Sequence, residues 1–83
     1  MSAPAPTLPG LVDYLARQLV DKPDAVVVTE VDLEDQLVLE LEVDPDDIGK
    51  VIGKQGRTVK AMRALLQAAS VKSRRRTVLE IVD

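Results

Sequence analysis

The chain is predicted to be an α+β layer fold, a three-stranded mixed sheet with helices packed on one face. Three observations predict it. Two apolar stretches, 25–33 and 36–43, are separated only by Glu34 and Asp35 and should pair as an antiparallel hairpin. Two other segments, 8–21 and 57–72, instead place their apolar residues at helical spacing. A last strand, Thr77 to Val82, follows a two-helix crossover, so it should lie parallel to the strand before it, with a right-handed connection. The order is helix, strand, strand, helix, helix, strand (α-β-β-α-α-β).

Residues 1–7, with alternating Ala and Pro, bury nothing and are expected to be a flexible leader to a single domain over 8–83. In the first helix Leu11, Leu15 and Leu19, with Val12 and Tyr14 beside them, follow Pro9, a residue suited to a helix start. Tyr14, the one aromatic residue, is assigned to packing. Pro23 cannot extend the helical ladder, so Asp21-Lys22-Pro23-Asp24 closes the helix.

The first strand is rich in valine. In the second, Leu37, Leu39, Leu41 and Val43 alternate with Val38, Glu40 and Glu42, the period of two that marks a half-buried strand. Glu30, Asp32, Glu40 and Glu42 are expected on the solvent face of the sheet. A paired-carboxylate catalytic site is the poorer reading, because no apolar pocket accompanies them to raise a pKa.

Asp44-Pro45-Asp46-Asp47 reads as a helix start, with Asp44 as the cap, Pro45 in the first turn and the acids near the positive helix end. A calcium loop would need an oxygen ligand at its fifth position and Glu at its twelfth. Here those positions hold Ile48 and Gln55, so no metal site is expected. Ile48, Val51 and Ile52 then give a short apolar face, and Gly53 ends the helix.

Gly53-Lys54-Gln55-Gly56 is a Gly-x-x-Gly turn between two helices. Without a Cβ on either glycine, a foreign backbone can approach closely. The amides and positive end of the following helix, with Lys54, Arg57 and Lys60, suit a phosphate backbone. The phosphate loop of nucleotide hydrolases does not match. It needs four residues between its glycines and Ser or Thr after its Lys, whereas Gly49 and Gly53 enclose three and Gln55 follows Lys54. A bare Gly-x-x-Gly is only a turn; its flanking helices, its cations and the strand beyond give it weight here.

Behind the turn, Val59, Met62, Leu66 and Ala69 form a core stripe, and Lys60, Arg63 and Gln67 cluster opposite. Ala61, Ala64, Leu65 and Ala68 extend the apolar arc beyond what one core face needs, so they are read as a surface for a second copy or a partner helix. A domain this small buries only about 60–65% of its unfolded surface, which makes such a contact useful. Ser73-Arg74-Arg75-Arg76 is a basic turn before the last strand.

Composition limits the chemistry. There is no Cys and no His, so thiolate nucleophiles, disulfides and the commonest general base and metal ligand are missing; no enzyme and no cofactor is expected. No apolar run approaches the roughly 20 residues that span a bilayer, and the N-terminus does not resemble a secretion signal, so the expected compartment is the cytoplasm. The net charge of −3 hides a polarity: residues 1–48 hold 12 acids and 2 bases, residues 49–83 hold 2 acids and 9 bases. The basic half coincides with the glycine turn, which favours a polyanionic ligand.

Val51-Ile52-Gly53-Lys54-Gln55-Gly56-Arg57, on helix–turn–helix followed by a strand, resembles a KH domain. The leading helix and hairpin resemble its type II form. The short chain, with Val20-Asp21-Lys22-Pro23-Asp24 and Gly49 to Arg57, is similar to the small stand-alone bacterial KH proteins of the KhpA family. The resemblance covers nearly all of the chain after the leader. It implies that Gly53, Lys54, Gln55 and Gly56 clamp the backbone of single-stranded RNA in a cleft for about four nucleotides. Gly49, Val51 and Ile52 would line its floor, and Lys50, Arg57 and Lys60 are counted with them as RNA-binding residues. Arg74, Arg75 and Arg76 would form the variable loop at its border, and the last strand would offer main-chain groups to bases. The lack of an aromatic residue at this cleft argues against modes that rely on base stacking. The resemblance also implies a homodimer, pairing with a larger Jag-type KH protein, and RNA chaperoning with a link to cell elongation. The alternative is a protein-interaction module with a vestigial cleft, acting through helix-mediated dimerisation.

Overall fold

The computed structural model describes residues 7–70 and 75–82. Six principal elements follow in order: α1 (Leu8–Leu19), β1 (Val27–Asp32), β2 (Gln36–Glu42), α2 (Ile48–Ile52), α3 (Arg57–Ala69) and β3 (Arg76–Ile81). The predicted α+β architecture is present, in the order of a type II KH fold. Strand order is β1-β2-β3, with β1 antiparallel and β3 parallel to β2.

The Thr7 hydroxyl accepts from Gly10 N–H at 3.0 Å and caps α1. The rest of the predicted leader lies outside the described residues. Val12 and Ala16 of α1, Leu39 and Leu41 of β2, Val51 of α2, Leu66 of α3 and Leu79 of β3 build the core between the sheet and its helices. Burying a leucine of this kind contributes about 1.5–3 kcal/mol, so the central strand, with two of them, anchors the layer. On the other sheet face Val31, Val38 and Val78 lie side by side in register, and Val38 is buried by its neighbours.

Two placements differ from the sequence reading. Tyr14 is 61% exposed and does not pack in the core. It stands two residues from both Val12 and Ala16, about 200° around the helix, so burying those two turns it outward. Glu30 and Asp32 are not on the outer face with Glu40 and Glu42. They pair with Leu39 and Leu37, which puts them on the helix side of β1, exposed at the sheet edge. The outer face of β1 is Val27, Thr29 and Val31, because the hairpin register pairs these with Glu42, Glu40 and Val38.

The ends of elements are tighter than predicted. Asp44 caps a 3₁₀ turn, Pro45–Asp47, accepting from Asp46 N–H at 2.9 Å; α2 starts only after it. Another 3₁₀ turn, Pro23–Ala25, precedes β1. Helix α3 ends at Ala69, where Ser70 donates through its hydroxyl to Gln67 O at 3.1 Å. Arg76, read as part of the basic turn, is the first residue of β3.

Candidate nucleic-acid interface

Helix α2 has barely more than one turn before Gly53 stops it, with Gly53 N–H on Gly49 O at 2.8 Å. Gly53 sits at φ 77°, ψ 171°, a region effectively reserved for glycine. The chain then closes a tight turn, Gly56 N–H to Gly53 O at 3.1 Å, through Gln55 (φ 58°, ψ 26°) and Gly56 (φ 72°, ψ 14°). Among the described residues, these three alone have positive φ. Left-handed Gly56 is followed at once by right-handed Arg57 (φ −65°, ψ −38°). Such a reversal of hand turns successive N–H groups toward one concavity, which suits an anion.

Cations stand in the turn and the helical turn that follows it. Lys54, Arg57 and Lys60 are exposed, as is Gln55. The Arg57 guanidinium donates to Gln55 Oε1 at 3.3 Å, which ties the tip of the turn to the start of α3. No side chain caps α3, and Lys54 and Lys60 have no ion-pair partner among the described residues. Gly49, exposed on α2, has nothing within 4 Å of where a Cβ would stand. Its neighbour Val51 is fully buried and supports the turn from the core, while Ile52 is half-buried beside it.

Other predicted contacts are separated from this cluster. Lys50 Nζ lies 3.1 Å from both Asp21 Oδ2 and Asp47 Oδ1. Asp47, 1% exposed, also accepts from Lys22 N–H at 3.0 Å, so it fastens the loop after α1 to the start of α2. Burial pushes the Asp47 carboxyl up, but the Lys50 ammonium and the N–H groups of Lys22 and Asp21 outweigh it and hold the carboxyl below its usual range. A lowered carboxylate contributes stability that is complete above its unfolded pKa of about 3.9 and is lost as pH falls through the folded value. The melting temperature is therefore expected to drop on acidification below about pH 4. Thermal melts of wild type and Asp47→Asn should show a smaller acid-induced drop in the variant, which starts less stable at neutral pH.

The basic turn is divided as well. Arg75 reaches back over the sheet end to Asp32 and to Leu33 O, the latter at 3.2 Å. Arg76 pairs in register with Gln36 and stands on the face opposite the core. Arg74 lies outside the described residues.

Two residues given no site role by the sequence reading, Arg63 and Gln67, reach from α3 to the main chain of β3. The Arg63 guanidinium donates to Leu79 O from Nε at 3.4 Å and Nη2 at 3.2 Å, and Gln67 Nε2 donates to Thr77 O at 2.7 Å. Their spacing of four puts them on one helix face, but no pattern in the sequence identifies the strand edge they meet. Farther round α3, Ala61, Ala64, Leu65 and Ala68 are all exposed, Leu65 by 50%.

Comparison with known proteins matches most of the chain. The family model for the KH domain of KhpA/KhpB matches residues 10–81. The chain is 55% identical to the RNA-binding protein KhpA of Halalkalibacterium halodurans over 73 residues, 88% of this chain and 96% of that protein. It is 51% identical to the RNA-binding protein KhpA of Clostridium perfringens over 72 residues, 87% of this chain and 96% of that one. Against the RNA-binding protein KhpA of Aquifex aeolicus the identity is 49% over 76 residues, 92% and 96% of the two chains.

Proposed function

The chain belongs to the KhpA/KhpB KH-domain family, and on that premise we propose that it binds single-stranded RNA, clamping the sugar–phosphate backbone on Gly53-Lys54-Gln55-Gly56. The observation that carries the proposal is the turn itself. It joins three positive-φ residues to the uncapped start of α3, with Lys54, Arg57 and Lys60 exposed in the turn and the first turn of that helix. The cleft takes about four nucleotides, and its few phosphate contacts make affinity modest and salt-dependent. Lys54, Gln55, Arg57 and Lys60 meet phosphates, and Gly49 and Ile52 face the bases over buried Val51. Lys50, held by two carboxylates, and Arg75, held at the hairpin, contribute only if RNA displaces their present partners. The family is one of RNA-binding proteins, and catalysis has no part in this reading. A cytoplasmic RNA chaperone or post-transcriptional regulator linked to cell elongation is the wider role that the family resemblance supports.

Gly49 offers a test that separates binding from folding. Helix interiors favour alanine over glycine by about 0.8–1.0 kcal/mol. Since nothing among the described residues opposes a Cβ there, Gly49→Ala should raise the melting temperature. If Gly49 serves close approach of RNA, the same variant should bind a labelled single-stranded RNA more weakly in fluorescence anisotropy. Unchanged affinity would remove Gly49 from the cleft.

The half-exposed Leu65 among Ala61, Ala64 and Ala68 favours a second element of the proposal, self-association through α3, or docking of a larger Jag-type KH protein there. Two linked clefts on one RNA would offset the weakness of each. Leu65→Asp is expected to lower the mass measured by light scattering from dimer to monomer, with the fold retained because the residue is outside the core. A wild type that remains monomeric at high micromolar concentration removes the homodimer.

A further inference from the structure

Strand β3 is an edge strand, and it packs against α3, the helix that follows the Gly-x-x-Gly turn. Val82 donates its N–H to Leu41 O at 2.8 Å, so the alternation of the parallel ladder turns the main-chain groups of Val78 and Glu80 toward β2 as well. Thr77, Leu79 and Ile81 therefore direct their N–H and C=O groups outward, along the cleft. Such an edge ordinarily presents donors and acceptors in equal number.

Here two of these three outward acceptors are taken. Leu79 O receives two N–H groups from the Arg63 guanidinium, and Thr77 O receives the Gln67 amide. Both donors come from one face of α3, one turn apart, so the helix covers successive carbonyls of the edge while the intervening N–H groups stay uncovered. The outer N–H groups of Arg63 add further donors, since a guanidinium has five and no acceptor.

Resting on the reading that the chain binds RNA, we propose that Arg63 and Gln67 set its base preference by capping the β3 carbonyls, which leaves a donor-rich edge. A donor-rich edge matches uracil, whose Watson–Crick edge has two acceptors, O2 and O4, to one donor, N3–H. It disfavours adenine, whose Watson–Crick edge has one acceptor beside an amino donor that needs a carbonyl. Arg63 and Gln67 are thus positioning residues; they act on the base through the strand they cap.

The test is the ratio of affinities for short labelled oligo(U) and oligo(A), measured by anisotropy for wild type, Arg63→Met and Gln67→Met. Both side chains are exposed, so their apolar replacements leave the core intact, and two single variants guard against loss of fold in one. Loss of the Arg63 charge weakens both oligonucleotides and cancels in the ratio, as does the self-stacking of oligo(A). Uncapping one carbonyl is expected to shift the ratio toward oligo(A) by roughly three- to tenfold, the worth of one net hydrogen bond. Variants that bind RNA with the wild-type ratio overturn the inference and leave the clamp standing. A wild type that binds neither oligonucleotide overturns the RNA-binding reading itself, and the inference with it.

Discussion

Replacing Lys54 and Gln55 together by aspartate is expected to abolish measurable RNA binding while leaving the fold intact. The double substitution changes the charge at the tip of the turn by three units, from attraction to repulsion. Two unit charges about 4 Å apart interact by about 1 kcal/mol in water and up to about 4 kcal/mol at a partly screened protein surface. Even the lower figure makes the loss on the order of a hundredfold or more, which takes an already modest affinity out of range. Stability should scarcely change. Lys54 is exposed and Gln55 already occupies a left-handed conformation, which aspartate tolerates better than most residues. The Arg57 contact to Gln55 is retained in kind, because an aspartate there also accepts. Anisotropy at two salt concentrations, beside a thermal melt, checks both halves of the expectation.

Gly53→Ala acts in the opposite way, through folding. At φ 77°, ψ 171° an L-residue is strained by about 1–3 kcal/mol before any contact is counted. An added Cβ would also stand 2.1 Å from Thr58 Oγ1, 2.6 Å from Thr58 Cβ and 2.9 Å from Thr58 N. The last of these is backbone in the first turn of α3, so no rotamer change relieves it. A total cost of about 3 kcal/mol or more is expected, a large share of the 5–15 kcal/mol that holds a typical domain together. For a domain this size that lowers the melting temperature by about 12–24 °C. Gly56→Ala is the control. Its Cβ would meet nothing within 4 Å, so only the left-handed backbone cost of about 1–2 kcal/mol remains. Calorimetry or circular dichroism melts should rank the two variants in that order; equal losses would mean that Thr58 can move aside.

The fold was legible because its signals are local. The alternation in 36–43, the helical spacing behind Pro9 and the two-helix return to a last strand each constrain one element, and chain connectivity then leaves few topologies. The glycine turn was legible for the same reason, since a break between two helical patterns is visible in sequence. Side-chain destinations were not. Lys50 looks like its neighbour Lys54, yet three-dimensional proximity gives it Asp21 and Asp47 as partners. Arg75, one of a basic cluster, meets Asp32 only because β3 begins beside the end of the hairpin. The hairpin register, fixed by the two-residue turn, decided which acids of β1 face outward, and apolar content alone favoured burying Tyr14. Arg63 and Gln67 were only grouped with Lys60 opposite the core stripe, because a helix pattern shows which residues share a face, not which strand edge that face meets.

The most direct test of the central claim is amide mapping by NMR, titrating the labelled protein with a short single-stranded RNA. The clamp predicts shift changes at Gly49, from Gly53 through Lys60, and at the outward amides Thr77, Leu79 and Ile81, growing as salt is lowered. Changes confined to Ala61, Ala64, Leu65 and Ala68, or none at the glycine turn, would contradict it and leave α3 as a protein-docking face with a vestigial cleft beside it.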